Sequence, residues 1–392
     1  MRYNFDEPIN RQNNHSAKWE EIDKKFISNN LWPMWIADMD LKTAPEIIDA
    51  MRAKVEEGIF GYVYRPDSYY ESAAKWSQRR FNYKIDPKTL INSPGVVPTL
   101  SILIRQLTKK QDSILIQSPV YYPFACVIKD NDRKLIENNL IQDEKGYYTI
   151  DFNDFENKII KNNVKLFILC SPHNPIGRVW KKEELEKISN ICLKHKVRVI
   201  SDEIWRDIIM PGFSHIPTAS LSKEIEKNTI TCFSPTKTFN LAGLQSSFVA
   251  FPIENEWKNF DTELGILDIK RNNPFSLVAF ETAYTKCDSW VDQLNLYLND
   301  NMEYVINFLK ENIPQIKTIK PEGTYLMWLD FSALNMSKEE LSKFLQEKAK
   351  VALDDGFWFG ENGIGFERIN IACPRYMLEI GLHRIKEAVN NI

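Results

Sequence analysis

Short apolar runs alternate with amphipathic stretches through the middle of this chain, and that alternation leaves few folds open. Lys165-Leu166-Phe167-Ile168-Leu169-Cys170 is too short for a helix and is closed by Ser171-Pro172, so it reads as a strand. Leu185, Ile188 and Cys192 then recur at helical spacing between Glu183 and Lys196. Val197-Arg198-Val199-Ile200 supplies the next strand. Strand, helix and strand in this order imply a parallel sheet with right-handed crossovers. Ser113-Ile114-Leu115-Ile116, ended by Ser118-Pro119, and Thr229-Ile230-Thr231-Cys232-Phe233 extend the same pattern. These strands are apolar nearly throughout, as in a sheet covered by helices on both faces. The expected class is α/β.

The pattern changes near residue 289. Val291, Leu294, Leu298, Met302, Val305 and Leu309 recur at steps of three and four, which marks one long amphipathic helix. After it, Gly323–Asp330 and Arg368–Ile371 read as strands, with a helix from Lys338 to Glu347 between them. The expectation is a large domain over 46–288, a smaller α+β domain over 289–392, and an N-terminal arm, 1–45, joining the small domain.

With 392 residues, 43% of them hydrophobic, the chain can bury a large core and is neither disordered nor membrane-embedded in composition. A net charge of -3 offers no footprint for nucleic acid or an anionic membrane. No apolar run approaches the roughly 18 residues of a membrane helix. The first residues, Met1-Arg2-Tyr3-Asn4-Phe5-Asp6-Glu7, lack the apolar centre of a signal peptide, so a soluble cytoplasmic protein is expected. The six cysteines form no C-x-x-C pair, and the histidines show no ligand spacing, so no disulfide framework and no metal site is expected. A nicotinamide dehydrogenase is disfavoured by the lack of G-x-G-x-x-G after the first strand.

Polar signals fall where the expected parallel strands end, which is where open α/β sheets place ligands. They are Ser118-Pro119-Val120-Tyr121-Tyr122, Ser171-Pro172-His173-Asn174-Pro175, Ser201-Asp202-Glu203 and Ser234-Pro235-Thr236-Lys237. Taken singly, Asn174 also fits a turn, Asp202 a helix cap and Tyr121 ordinary packing. Together, an aromatic, an amide, a carboxylate and a lysine on one rim suit a flat, phosphorylated, aldehyde-bearing heteroaromatic ring. Pyridoxal 5′-phosphate is that molecule. A lysine at the end of a buried strand has its ammonium disfavoured, and the neutral amine forms a Schiff base with an aldehyde. Lys237 would hold the cofactor in this way and later remove the substrate α-proton. Asp202 would pair with the pyridine nitrogen, Asn174 would donate to the phenolate oxygen, and Tyr121 would stack on the ring.

The chain resembles the fold type I pyridoxal-phosphate enzymes of the class I/II aminotransferase superfamily, and within them the MalY/PatB-type C–S β-lyases. The resemblance spans nearly all of it. Besides the rim segments, it is carried by Trp35-Ile36-Ala37-Asp38-Met39-Asp40, Phe60-Gly61-Tyr62, Lys237-Thr238-Phe239-Asn240-Leu241-Ala242-Gly243-Leu244, Gly323-Thr324-Tyr325-Leu326-Met327-Trp328-Leu329-Asp330 and Arg368-Ile369-Asn370-Ile371-Ala372-Cys373-Pro374-Arg375.

It implies further roles. Arg368 would grip the substrate α-carboxylate. Backbone N–H groups of Val96 and Val97, in Gly95-Val96-Val97-Pro98, would hold the cofactor phosphate at a helix start. Tyr62 would reach the phosphate from a neighbouring subunit, which implies a homodimer. Many aminotransferases have an arginine eight residues after the lysine. Here that position is Gln245, as the β-lyase-like relatives also lack the arginine, and the phosphate would lean on Ser234 and the helix start. Trp205 replaces a tyrosine frequent three residues after the aspartate; an indole donates but does not accept, which alters the tuning of the Schiff base. The implied activity is cleavage of L-cystathionine or a related cysteine S-conjugate to a thiol, pyruvate and ammonia. The alternatives are an aminotransferase using the same residues and a regulatory role through protein contacts.

Overall fold

The structure, a computed structural model, describes residues 3–28 and 30–392. At its centre is a seven-stranded sheet in the order Leu90–Ser93, Ser247–Ala250, Thr229–Phe233, Arg198–Asp202, Leu166–Cys170, Ser113–Ser118 and Lys134–Asn139. Most of these strands are buried along their whole length. The apolar runs expected to be strands are strands, and the helix between two of them runs Lys182–Lys194. The sheet is parallel except for Ser247–Ala250, which pairs antiparallel with both neighbours.

That exception has a consequence for the site. Parallel neighbours need a crossover, whereas antiparallel neighbours can be joined at one edge. Thr229–Phe233 and Ser247–Ala250 are adjacent and antiparallel. The segment that joins them, which carries Lys237, therefore stays at the edge where the parallel strands end. Leu90–Ser93 runs the same way and feeds the helix Val96–Leu107, whose first turn opens at that edge too.

The long helix spans Asp288–Asn312, with Trp290, Val291, Leu294, Leu298, Met302 and Val305 among its buried residues. Beyond it lies a four-stranded antiparallel sheet in the order Lys317–Thr318, Leu326–Asp330, Phe366–Asn370 and Asp354–Asp355. The helix Lys338–Phe344 begins in a capping box between Ser337 and Glu340, continues as a wider turn over Leu345–Ala349, and stops at Lys350, which has φ 51°. Near the N-terminus, Trp32–Pro33 pairs in parallel with Val351–Ala352. One apolar core runs from Ile47 and Trp76 through Phe239 and Tyr325 to Leu378 and Ile385.

Gly177 locks the Asn174 loop onto the second sheet. The backbone carbonyl of Gly177 accepts from the amides of Glu322 and Gly323. Its φ is +69°, and a Cβ there would come within 2.5 Å of the Pro321 side chain, so glycine alone fits.

Candidate active site

Lys237 sits in the turn after the Thr229–Phe233 strand, half-buried, with its Nζ donating to the Ala37 carbonyl at 2.7 Å. The Tyr325 hydroxyl donates to the same carbonyl at 3.0 Å. The Trp205 ring lies 5.7 Å from Nζ. Burial lowers the Lys237 pKa to about 8; Arg368 adds to the effect, and Asp38 and Asp202 oppose it. A substantial neutral fraction near neutral pH makes this amine a competent nucleophile.

The wall opposite Lys237 is the backbone of residues 36–41. Asn240 grips it, with Nδ2 donating to the carbonyls of Met39 and Leu41 and Oδ1 accepting from the Met39 amide. Asn370 grips it from the other side through the carbonyls of Ile36 and Asp38. Asn240 follows Lys237 by three residues and Asn370 follows Arg368 by two. The loops that carry the two cations therefore also hold the wall between them.

Asp202 ends its strand and is fully enclosed. Burial raises its pKa to about 7, with Glu203 raising it further, while the Ile204 amide, donating at 3.1 Å, and Lys237 hold it down. A cationic N–H placed opposite would keep it ionised. Asn174 accepts at Oδ1 from Arg368 Nη1 at 2.9 Å, which leaves its Nδ2 hydrogens to donate elsewhere. Arg368 Nη2 bonds Asp354. Its buried Nε has no hydrogen-bond partner among the described residues.

Lys237, Asp202, Asn174, Tyr121, Val96, Val97 and Arg368 line one cavity of about 300 Å³, together with Trp205 and Asp354. The Val96 and Val97 amides open their helix, where no intrahelical acceptor exists. Among the described residues neither finds another acceptor. A lysine amine, a carboxylate, an amide donor, an aromatic face and two free backbone N–H groups thus converge on a space of the right size for pyridoxal phosphate.

Two further expected site residues, Ser234 and Tyr62, do not line the cavity of a single subunit, and Tyr62 was expected to come from a neighbouring one. Ser234 is buried behind the cavity, its hydroxyl donating to the Ser246 carbonyl at 2.8 Å and accepting from the Thr236 amide. Tyr62 is 92% exposed, beside exposed Ile59, Phe60 and Tyr64, with the Arg271 guanidinium 5.1 Å from its ring. Gln245 is exposed with φ 49°. Trp205 packs edge-on against Tyr325 at 4.7 Å.

Asp354 and the Ala37 carbonyl were not anticipated. For Asp354 a signal existed: Asp354-Asp355 comes directly after the apolar Val351-Ala352-Leu353, and a carboxylate closing a buried run needs a partner. For a backbone carbonyl there was none.

The family model for class I and II aminotransferases matches residues 36–385. A cystathionine β-lyase, PatB, from Bacillus subtilis (strain 168) is 39% identical over 387 residues, covering 99% of this chain and 100% of the relative. A protein from Clostridium difficile 630, provisionally named an aminotransferase and solved with pyridoxal phosphate bound, superposes with a TM-score of 0.98 at 56% identity, covering 99% and 100% of the two chains. Cystalysin from Treponema denticola, whose structure contains pyridoxal 5′-phosphate, superposes with a TM-score of 0.95 at 37% identity over all of both chains.

Proposed function

We propose a carbon–sulfur β-lyase, on the premise that this chain belongs to the aminotransferase class I and II family. The observation that carries the reading is the full-length likeness to a cystathionine β-lyase in a chain whose Lys237 amine is lowered to about 8 within the shared cavity. The substrate is L-cystathionine or a related cysteine S-conjugate, and the products are a thiol, pyruvate and ammonia. When bound, pyridoxal 5′-phosphate supplies an electron sink next to the substrate α-carbon, which acidifies the α-proton and lets the β-substituent leave.

The residues divide the work. Lys237 would carry the cofactor, and its Nζ would be the base that takes the substrate α-proton. Positioned proton transfer of this kind contributes roughly 10²–10⁴-fold. The Ala37 carbonyl gives Nζ a fixed direction. Asp202 would pair with the ring nitrogen and keep it protonated, Asn174 would donate from Nδ2 to the phenolic oxygen, and Tyr121 would cover a ring face. The Val96 and Val97 amides would hold the phosphate, with Ser234 bracing the turn behind them. Arg368 binds the α-carboxylate through the N–H groups that Asn174 and Asp354 leave free. The β-carbon–sulfur bond then breaks with its electron pair on sulfur. A thiolate is a good leaving group, so no strong acid is required beside it.

The same reading includes a homodimer in which the partner subunit's Tyr62 completes the phosphate site. The exposed run around Tyr62 in a single subunit supports it, since exposed apolar clusters mark interaction surfaces. A cytoplasmic location fits six free cysteines, five of them buried. The three-part domain division fits the pairing of Trp32–Pro33 with Val351–Ala352.

The second reading is an aminotransferase, favoured by the name of the Clostridium difficile protein. It uses the same residues but returns the proton to the cofactor. Supplying L-cystathionine and assaying thiol and pyruvate separates the two. Stoichiometric thiol and pyruvate are expected. Consumption of a 2-oxo acid acceptor without thiol release would replace the lyase with the transaminase.

A further inference from the structure

The charges lining the cavity do not balance around a bound substrate. Among the described lining residues four are charged: Lys237, Arg368, Asp202 and Asp354. In the β-lyase reading, the cofactor occupies Lys237 and Asp202, and the substrate α-carboxylate occupies Arg368. Asp354 is the charge left over.

Asp354 is held firmly. It is buried, pairs across strands with Arg368 in the backbone register, and bonds Arg368 Nη2 through Oδ2. Among the described residues its Oδ1 has no hydrogen-bond donor. Behind it, Gly356 packs so closely on the backbone of Gly363 and Phe366 that a Cβ would lie 2.1 Å from the Gly363 carbonyl, so the strand cannot withdraw. Burial outweighs the opposing pull of Arg368, Lys18 and Lys25 and holds its carboxyl above the usual carboxylate range, so the test is run at pH 8, where the ionised form is most favoured. Neither of those lysines offers a counter-charge to a ligand in the cavity. Lys18 is bonded to Asp40, and Lys25 is exposed, 6.0 Å over the Trp358 ring and outside the lining.

We propose that Asp354 is the specificity-determining residue of this site. Its carboxylate, fixed beside the α-carboxylate clamp, admits cysteine S-conjugates with neutral, zwitterionic or cationic side chains and turns away those ending in a bare carboxylate. A like charge set against it in a low-dielectric cavity is repelled strongly, and no lining cation remains to receive it. The proposal rests on the β-lyase reading for what happens after binding, and on geometry alone for which substrates bind.

The test uses the holoenzyme at pH 8 with S-(2-aminoethyl)-, S-propyl- and S-carboxymethyl-L-cysteine, which carry a positive, no, and a negative side-chain charge. Pyruvate release gives kcat/KM, and the absorbance change on mixing gives binding whether or not elimination occurs. Wild type should favour the aminoethyl over the carboxymethyl compound by about tenfold or more. Asp354→Asn should bring that ratio within about threefold, chiefly by lowering KM for the carboxymethyl compound, a like-charge penalty being a term in binding. Asp354→Glu keeps the charge and should keep the ratio. Should Asp354→Asn fail to retain the cofactor, Asp354→Ser is read in its place. Equal handling of the two charged compounds by wild type overturns the proposal, as does a ratio that survives neutralisation. Loss of the ratio in Asp354→Glu as well overturns it, by making the effect one of shape. If no compound yields pyruvate but the binding order holds, the lyase reading fails and the specificity stands.

Discussion

Two lysines enclosed by this protein have opposite chemistry. Lys18, near the N-terminus, is 1% exposed and lies against Asp40 and Asp38. Lys237, at the sheet edge, has a backbone carbonyl as its bonded partner. Burial works against both ammonium groups. At Lys18 the two carboxylates outweigh it and the pKa rises. At Lys237 they do not, and it falls to about 8. Burial alone therefore does not make a lysine reactive. What matters is that Lys237 is denied a committed carboxylate: Asp38 is taken by Arg11, and Asp202 is a neighbour rather than a bonded partner.

Substituting each lysine by methionine is the strongest way to break that comparison. Lys237→Met should lose turnover by about 10²–10⁴-fold at the least, and borohydride should no longer fix cofactor to the chain. Its fold should survive, because no carboxylate is orphaned. Lys18→Met should do the reverse. Removing one partner of a buried pair costs about 3–5 kcal/mol. The lower end is expected, since Arg11 and the Trp19 indole still contact Asp40. Urea unfolding reads that loss, and the cofactor should still be fixed at Lys237. A Lys237→Met variant that unfolds beside a Lys18→Met variant of unchanged stability would invert the assignment.

The pH dependence of stability sharpens the same contrast. In the cofactor-free protein, between pH 8 and the ordinary lysine value of 10.5, the unfolded chain holds a proton that folded Lys237 has released. The unfolded state binds more protons, so stability rises with pH across this window. Relative to Lys237→Met, wild type should gain about 3 kcal/mol from pH 8 to 10.5. Lys18 has the opposite sign. Its pKa is raised, so its contribution is complete below 10.5 and is lost only as pH climbs through the higher folded value. Urea midpoints at pH 7.5, 9 and 10.5 check this. A constant difference between wild type and Lys237→Met would show that the amine is not depressed in the folded state.

The parts of the site that were legible in the sequence are those whose signal is local. Cys170, Asp202 and Phe233 close short apolar runs, and a chain leaving a buried strand must turn at the sheet edge. That logic puts Asn174, Asp202 and Lys237 on one rim from their neighbours alone. The antiparallel direction of Ser247–Ala250 was not legible, because four residues of apolar pattern do not encode direction. The run before Asp354 marks it as a carboxylate in need of a partner, but that the partner is Arg368 became visible only through register, since the pairing spans a loop of more than ten residues. The Ala37 carbonyl is a backbone atom with no residue signature. Ser234 carries a contact that the local sequence does not show: the antiparallel return places the Ser246 carbonyl within reach, and the hydroxyl donates to it.

The smallest effect expected concerns the wall that gives Lys237 its acceptor. Asn240 makes three hydrogen bonds to it and holds φ at 56°, a conformation that asparagine tolerates better than alanine. Asn240→Gly removes the bonds while accepting the backbone, and should cost about 1–3 kcal/mol for the polar groups left unpaired. Asn240→Ala should cost about 1 kcal/mol more for the left-handed φ. Because the wall aims the Ala37 carbonyl rather than touching substrate, Asn240→Gly should lower turnover severalfold and shift the alkaline limb of its pH profile. A purely structural brace would leave that limb in place. Asn370 holds the same stretch from the other side, so Asn240→Gly combined with Asn370→Ala should fall short of additivity by about 0.5 kcal/mol or more, as residues sharing one element do. Strict additivity would mean that the two asparagines brace separate pieces of backbone, and that the orientation of Lys237 depends on Asn240 alone.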